Sequence, residues 1–175
     1  SFYVIVPGAS ITPKKWPTDN FAELAELIYQ RTSWNGVICG TQQEHILGED
    51  ILKKCNAPLK NMSGQTELPE LARMLSQSQL IISNDTGTAH IASAVGRTTV
   101  CILGGGHFGR FAPYPDLPGQ TKNFHSVYHK MACYGCNWEC VYSLKKDEPA
   151  PCISNISVDA VWEKIEKLIE ASEVK

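Results

Sequence analysis

The segment with the most potential chemistry is DTGTAH, residues 85–90. The apolar residues 80–82 precede it and an alanine-rich stretch follows it, which is typical of a buried strand that leads into a helix. At such a junction an acid, a hydroxyl and a glycine meet the first helical turn, where unpaired backbone N–H groups attract an anion. The segment therefore predicts a phosphate site that includes Asp85, Thr86 and Gly87.

A second candidate phosphate loop is PGASITPKKWP, residues 7–17, which follows the apolar run at residues 2–6. Parallel α/β sheets bind ligands in the crevice beyond the carboxyl ends of their strands. A diphosphate there needs positive charge, which Lys14 or Lys15 could supply together with the Ser10 hydroxyl and without a metal ion. Taken alone, the loop at residues 7–17 is explained by solvated lysines, and Asp85 is explained by a helix cap. The two loops together favour a diphosphate site.

His90 stands four residues after Thr86, so the two side chains share one face of the predicted helix near its ligand end. It is a candidate ligand contact, with a purely structural hydrogen bond as the alternative. The carboxylate of Asp85 would repel a nearby phosphate, so we expect it either to cap the helix or to accept a hydrogen bond from a sugar hydroxyl.

The glycine-rich stretch GGGHFG, residues 104–109, formally matches the dinucleotide fingerprint G-x-G-x-x-G. It runs into RFAPYP instead of a helix, and the positions about 20 residues further on hold Asn123 and His125, without an acid for a ribose. A flexible glycine turn that borders the ligand crevice is the simpler interpretation. His107 or Arg110 in this region could add a contact to a donor or an acceptor.

The cysteines form a separate pattern in a loop at about residues 131–153. Four of them have the spacing C-x2-C-x3-C-x11-C: Cys133, Cys136, Cys140 and Cys152. Four thiolates at short spacing can hold a structural zinc ion, and a reducing compartment disfavours disulfides. The spacing is irregular for a zinc ribbon, so free thiols, disulfides and an iron–sulfur cluster stay open, and His125 or His129 could replace a ligand.

Length and composition fit one globular domain, because 175 residues with 43% hydrophobic and 19% charged residues can bury a core. The formal charge of −2 gives no general attraction for nucleic acid or an anionic membrane. No apolar run approaches the roughly 20 residues of a membrane span. The chain begins at Ser1 directly in a strand-like run, and we expect a cytoplasmic fragment of a longer protein.

Apolar runs typical of strands alternate with helical patterns, which predicts an α/β fold with a parallel sheet flanked by helices. Asn20 and Glu23 resemble a helix-capping pair, and Gly96 should stop a helix. No regular pattern is evident from residue 104 until the closing helix. The predicted strands are residues 2–6, 36–39, 80–83 and 98–103, and the predicted helices are those from 20, 43–54, 68–75, 86–95 and from 157.

Several motifs together resemble glycosyltransferase family 9, the ADP-heptose:lipopolysaccharide heptosyltransferases. They are PGAS followed by KKWP, a strand ending in Gly40 with Glu44 beyond it, SGQTELPELA, and ISNDTGTAHIASAVGRTTVCILG. The resemblance implies a Rossmann-like domain, the C-terminal half of a GT-B enzyme, with residues 1–175 as one nucleotide-sugar-binding domain that lacks the N-terminal acceptor domain.

The resemblance also implies roles for individual residues. Lys14 corresponds to a phosphate-binding lysine that stabilises the leaving group, and Ser10 to a hydroxyl contact. A glutamate that contacts the nucleoside in some members falls near Gln42 or Glu44. The donor motif corresponds to Asp85, Thr86, Gly87 and His90, among which Asp85 is the second candidate catalytic residue.

The activity implied is an inverting transfer from a nucleotide sugar, first of all ADP-heptose, in bacterial lipopolysaccharide core or other cell-surface glycan synthesis. The implied reaction requires no cofactor for catalysis, and the absent domain would bind its glycolipid or glycan acceptor. The implied location is the cytoplasm, which is compatible with peripheral attachment of the full-length protein to the inner membrane. Two alternatives are a non-catalytic nucleotide-binding or interaction module and a GT-B sugar-nucleotide epimerase.

Overall fold

A computed structural model describes residues 1–115 and 122–173 and contains one six-stranded sheet in that part of the chain. The strands are β1 (Phe2–Val6), β2 (Asn35–Ile38), β3 (Leu59–Asn61), β4 (Leu80–Asn84), β5 (Thr99–Ile102) and β6 (Phe124–Val127). The α-helices are α1 (Thr18–Thr32), α2 (His45–Lys54), α3 (Leu68–Gln77), α4 (Gly87–Ala94), α5 (Pro151–Ser154) and α6 (Val158–Glu173).

All five strand pairings are parallel, in the order β3-β2-β1-β4-β5-β6. The register places Ile5 opposite Ile38 on one side and opposite Ile82 on the other. The chain builds outward from β1 to β3 and then returns to add β4 on the other side of β1. In doubly wound sheets ligands bind at such a reversal, so the expected crevice lies beyond the carboxyl ends of β1 and β4.

Helices cover both faces of the sheet, which explains the nearly continuous apolar strands. Tyr3 and Ile5 share a core with α1 and α6. Val4 and Val6 point to the opposite face and pack with residues of α3 and α4. The predicted α/β fold with a Rossmann-like parallel sheet is therefore confirmed.

The four predicted strands are present, but two edge strands were missed. β3 carries Lys60 and Asn61, and β6 carries His125 and Ser126, so neither shows the apolar run that marked the central strands. The short helix α5 was also missed.

The expected capping pair of Asn20 and Glu23 is wrong. Helix α1 begins earlier, after Pro17, and no side chain caps it. Gly96 does follow α4, with a φ of 79° that favours glycine. Within the described residues, none of the helices combines the length and the apolar character needed to cross a membrane.

Candidate functional site

The two predicted phosphate loops meet at the carboxyl ends of β1 and β4. Lys14 Nζ lies 3.1 Å from Asp85 Oδ2, and the two side chains are only 12% and 7% exposed. Asp85 does not cap the helix, contrary to one of the two expectations, because Thr86 occupies the N-cap position and makes no side-chain cap hydrogen bond. The carboxylate instead forms a nearly buried ion pair with the lysine of the other loop.

Asn84, which the sequence reasoning missed, holds these loops together. Its Oδ1 accepts a hydrogen bond from the Trp16 backbone N–H at 3.2 Å, and its Nδ2 donates to the Pro7 carbonyl at 2.8 Å. Trp16 is buried, and its indole N–H donates to the Ile156 carbonyl at 2.8 Å. The loop that carries Lys14 is thus fixed at both ends by buried hydrogen bonds.

The N-terminus of α4 opens onto the same space. A Cβ atom built on Gly87 would meet no atom within 4 Å, and no side chain caps the first amides of the helix. Such amides, together with the helix dipole, attract anions. Lys14 and the α4 terminus therefore provide two positive features at one place.

His90 lies on α4 between an acid and a phenol. Its Nε2 is 3.7 Å from Asp85 Oδ1, and its Nδ1 is 2.6 Å from the Tyr114 hydroxyl oxygen. The imidazole stacks with Tyr114 and with Phe124, at centroid separations of 5.7 and 5.5 Å. Burial raises the pKa of Tyr114, and the nearby Cys101 and Asp85 add to the shift. The phenol therefore stays protonated and can donate to the imidazole.

A cavity of about 850 Å³ occupies the crevice, within the range of small-molecule sites. Every residue predicted for donor binding contributes to its wall: Ser10, Lys14, Gln42, Glu44, Asp85, Thr86, Gly87 and His90. The structure therefore brings the whole predicted set together around one cavity. Lys15 does not contribute to this wall.

The wall of the cavity on the β2 side includes both candidates for the nucleoside contact. Gln42 and Glu44 belong to a short 3₁₀ helix, and the Glu44 carboxylate accepts hydrogen bonds from the Thr41 N–H at 2.8 Å and the Thr41 hydroxyl at 3.0 Å. A Cβ on Gly8 would lie 1.9 Å from Glu44 Oε1. The carboxylate thus reaches the backbone of the β1 loop, and a Cβ at position 8 would require the Glu44 carboxylate to move.

Four further cavity residues come from the segment after β3: Gly64, Thr66, Leu68 and Leu71. They were missed because β3 was missed. Had the third parallel strand been recognised, its carboxyl end would have placed this segment at the same edge of the sheet.

The glycine-rich stretch after β5 borders the cavity through His107 and Phe111. Arg110 lies over the Phe111 ring at 5.2 Å and is not part of the cavity wall. A Cβ on Gly104 or Gly106 would approach the Trp138 ring to 2.5 or 2.4 Å. The stretch forms a turn that borders the crevice, as predicted, and its glycines also allow close packing against the Cys-rich loop.

All seven cysteines are free thiols. The four with the short spacing line one small cavity of about 10 Å³, to which neither His125 nor His129 contributes. Burial raises the pKa of Cys152, and the other three cysteines add to the shift, whereas the Gly105 N–H, which donates to its Sγ at 3.4 Å, opposes it. In the described part of the chain, no three histidine, cysteine or acidic side chains are arranged to hold a metal ion. The thiols share a cavity without forming a ready ligand set.

The comparison with protein families decides the classification, because the model of glycosyltransferase family 9 (heptosyltransferase) matches residues 1–140. The chain belongs to glycosyltransferase family 9. It is 32% identical over 130 residues to lipopolysaccharide heptosyltransferase 2 of Escherichia coli K12, a match that covers 71% of this chain and 37% of that protein. The chain thus spans well under half the length of this family 9 relative.

Solved heptosyltransferases share the fold. E. coli ADP-heptose lipopolysaccharide heptosyltransferase II superposes with a TM-score of 0.76 at 22% identity, covering 98% of this family 9 chain and 47% of that one. TibC, described as a dodecameric iron-containing heptosyltransferase in complex with ADP-D-beta-D-heptose, superposes with a TM-score of 0.71 at 16% identity, covering 99% and 47%. At these identities the superpositions show the fold alone.

Proposed function

We propose that this chain is the donor-binding, C-terminal domain of an inverting glycosyltransferase, with ADP-heptose as the first candidate donor. The observation that carries the proposal is the position of Lys14 and the open N-terminus of α4 on one cavity at the reversal point of the sheet. The proposed biological setting is bacterial lipopolysaccharide core or related glycan synthesis at the cytoplasmic face of the inner membrane. Membership of family 9 supports this setting.

In the proposed reaction an acceptor hydroxyl attacks the anomeric carbon of the donor sugar while the bond from that carbon to the diphosphate oxygen breaks. The hydroxyl proton passes to a base, and the diphosphate leaves with an added negative charge. Lys14 and the first amides of α4 would stabilise that charge, which is the role of preorganised electrostatic groups. These groups supply the positive charge without a catalytic metal ion.

We place the base and the acceptor-binding surface, for a glycolipid or glycan, in a part of the protein outside these 175 residues. The 37% coverage of the E. coli relative supports this assignment. The isolated chain should therefore bind donor nucleotide weakly and transfer no sugar. Sugar transfer by the isolated chain would refute this division of labour.

Calorimetric titration with ADP, UDP, GDP and CDP tests the donor site. We expect selective binding of ADP, weakened about 10- to 100-fold by Lys14→Met, because a charge-assisted hydrogen bond contributes about 1.5–3 kcal/mol. Lys15→Met is the matched control, since it removes the same charge from the same loop but from outside the cavity wall.

The other outcomes separate the alternatives. Equal loss in both lysine variants would indicate a general charge effect and would contradict the donor site. Nucleotide binding by the chain, combined with no transfer by the full-length protein, would favour a non-catalytic module. Conversion of a nucleotide sugar without an acceptor would favour an epimerase.

For the Cys-rich loop we propose one structural metal ion, held by Cys133, Cys136, Cys140 and Cys152. Their shared cavity has room for a single water-sized sphere, and the Gly105 N–H that donates to Cys152 Sγ is a contact that stabilises a thiolate ligand. Binding would require the thiols to converge. Zinc is the first candidate, and iron is the second because the neighbour TibC is described as iron-containing.

Elemental analysis of protein purified without added metal tests this site. We expect one equivalent of zinc or iron in the wild type and none in Cys152→Ser. Cys39→Ser is the control, because Cys39 is a buried thiol in a different core cluster. Absence of stoichiometric metal from the wild type would remove the proposal.

A further inference from the structure

Lys14 has a second neighbour besides Asp85. Its Nζ lies 5.6 Å from the centroid of the Trp138 ring, within the range of a cation–π interaction. Trp138 belongs to the Cys-rich loop, which the donor reaction described above does not use. We propose that Trp138 is a positioning residue for Lys14, whose ring holds the ammonium group where it meets the donor diphosphate. This inference rests on the proposed function.

The backbone that presents the ring is unusual. Asn137 and Trp138 both adopt positive φ values, 53° and 66°, in the left-handed region that L residues seldom occupy. The Asn137 N–H donates to the Gly106 carbonyl at 2.9 Å, and its Oδ1 lies 2.7 Å from His107 Nε2. Residues held in such conformations are often found at functional sites. Here the strained pair places an indole beside Lys14, which among the described residues is the only lysine in the cavity wall.

The indole N–H does not explain the position of Trp138. Nε1 is buried and has no hydrogen-bond partner among the described residues, although a buried indole usually finds one. A leucine or a phenylalanine, although smaller, would leave no buried donor unpaired. The large ring face is therefore the property that this position uses.

A ring face suits this role because it attracts a cation without neutralising its charge. Asp85 competes directly with a diphosphate for Lys14, since both are anions. The π face of Trp138 carries no net charge. Unlike a carboxylate, it therefore leaves the ammonium N–H groups available for the phosphate. Lys14 can thus be held in place by the indole while its N–H groups turn to the phosphate.

The test compares Trp138→Leu and Trp138→Phe with the wild type in titrations with ADP. We expect the Kd for ADP to rise about 3- to 10-fold in Trp138→Leu and by less in Trp138→Phe, which keeps a weaker ring face. In the Lys14→Met background the same substitutions should leave the Kd unchanged, because they act through the lysine. Trp162→Leu is the matched control, because Trp162 is a half-buried tryptophan of α6 that packs against the hydrophobic core.

A ligand-free measurement separates this inference from the proposed function. In the NMR spectrum of ε-¹³C-lysine protein, the Lys14 signal, assigned by its loss in Lys14→Met, should be shifted by the indole ring current. It should return toward the ordinary lysine position in Trp138→Leu. A shifted signal without ADP binding would support the positioning of Lys14 and refute the donor site.

The opposite result would overturn the inference alone. It would consist of measurable ADP binding by the wild type, with the Lys14 signal and the Kd both unchanged in the Trp138 variants. If Trp138→Leu fails to fold, Trp138→Phe provides the same two readouts. An effect of Trp138→Phe that persists in the Lys14→Met background would also overturn it, because a general packing defect would then be its cause.

Discussion

The ion pair between Lys14 and Asp85 should stabilise the fold, and its loss can be separated from the loss of binding. The two side chains are 12% and 7% exposed, so Lys14→Met leaves a nearly buried carboxylate without its cation. Breaking buried pairs in this way costs about 3–5 kcal/mol. Because the pair borders an open cavity, we expect the lower end, about 3 kcal/mol. For a chain of this size the melting temperature should fall by about 6–12 °C.

Thermal unfolding followed by circular dichroism measures this effect in Lys14→Met, Asp85→Asn and the double variant. The double variant contains no unpaired charge, so it should recover to within about 1 kcal/mol of the wild type. It should not regain ADP binding, because the ammonium group is still absent. Stability would then depend on the pairing of Lys14 with Asp85, and ADP binding on the ammonium group itself.

Two results would refute this reasoning. One is a melting temperature of Lys14→Met within about 2 °C of the wild type, which would mean that the buried carboxylate needs no cation. The other is a double variant whose destabilisation equals the sum of the two single effects, which would show that the residues do not interact. Lys15→Met should unfold like the wild type in either case, because Lys15 has no place in the pair.

Three further predictions follow from the glycines, a histidine and the same acid. Gly106→Ala should destabilise the fold by about 1–3 kcal/mol, because its Cβ would lie 2.4 Å from an indole carbon, whereas Gly87→Ala meets open space and should leave the melting temperature unchanged or higher. Burial, the largest cause, and nearby lysines lower the pKa of His125, so the folded state resists a proton that the unfolded state accepts. The free energy of unfolding measured in urea should thus have its full value above about pH 6.5 and decrease as the pH falls through that value. A pH profile unaltered by His125→Gln would contradict this. Asp85→Asn should bind ADP more tightly in calorimetry, because Lys14 loses its competing anion; weaker binding would show that the carboxylate contacts the nucleotide.

The site was predictable from the sequence because the topology of a parallel sheet restricts where ligands bind. Two loops that follow strands share an edge of the sheet if the strands are parallel neighbours. Ser10 and Lys14 on one loop, and Asp85, Thr86 and Gly87 on the other, could therefore be assigned to one crevice before their distances were known. Their positions on the cavity wall depend on β1 and β4 being adjacent.

The partners within the site could not be predicted in the same way. The contact between Lys14 and Asp85 depends on side-chain directions in an irregular loop, which no periodicity encodes. Two roles for Asp85 therefore stayed open from the sequence, a helix cap and a contact to a sugar hydroxyl. It also gave no reason to expect Asn84, whose two buried hydrogen bonds fix the Lys14 loop.

The edge strands and the packing role of the glycine run were missed for related reasons. Edge strands are buried less completely than central ones, so β3 and β6 tolerate the polar residues that conceal them. Gly104 and Gly106 were interpreted as part of a flexible turn that borders the ligand crevice. Their actual reason is tertiary, since the rings that they accommodate come from a loop about 30 residues later.

The electrostatics of the cavity make donor binding an exchange. In the described structure the Lys14 ammonium is already paired with Asp85, so a diphosphate must replace a contact and cannot simply fill an empty positive site. The free energy of binding is then the difference between two ion pairs, to which the amides of α4 add in favour of the phosphate. This exchange adds to the weakness of the binding that we expect of the isolated chain. Trp138 matters in the same step, because its ring can hold the ammonium in place while Lys14 changes from one anion to the other.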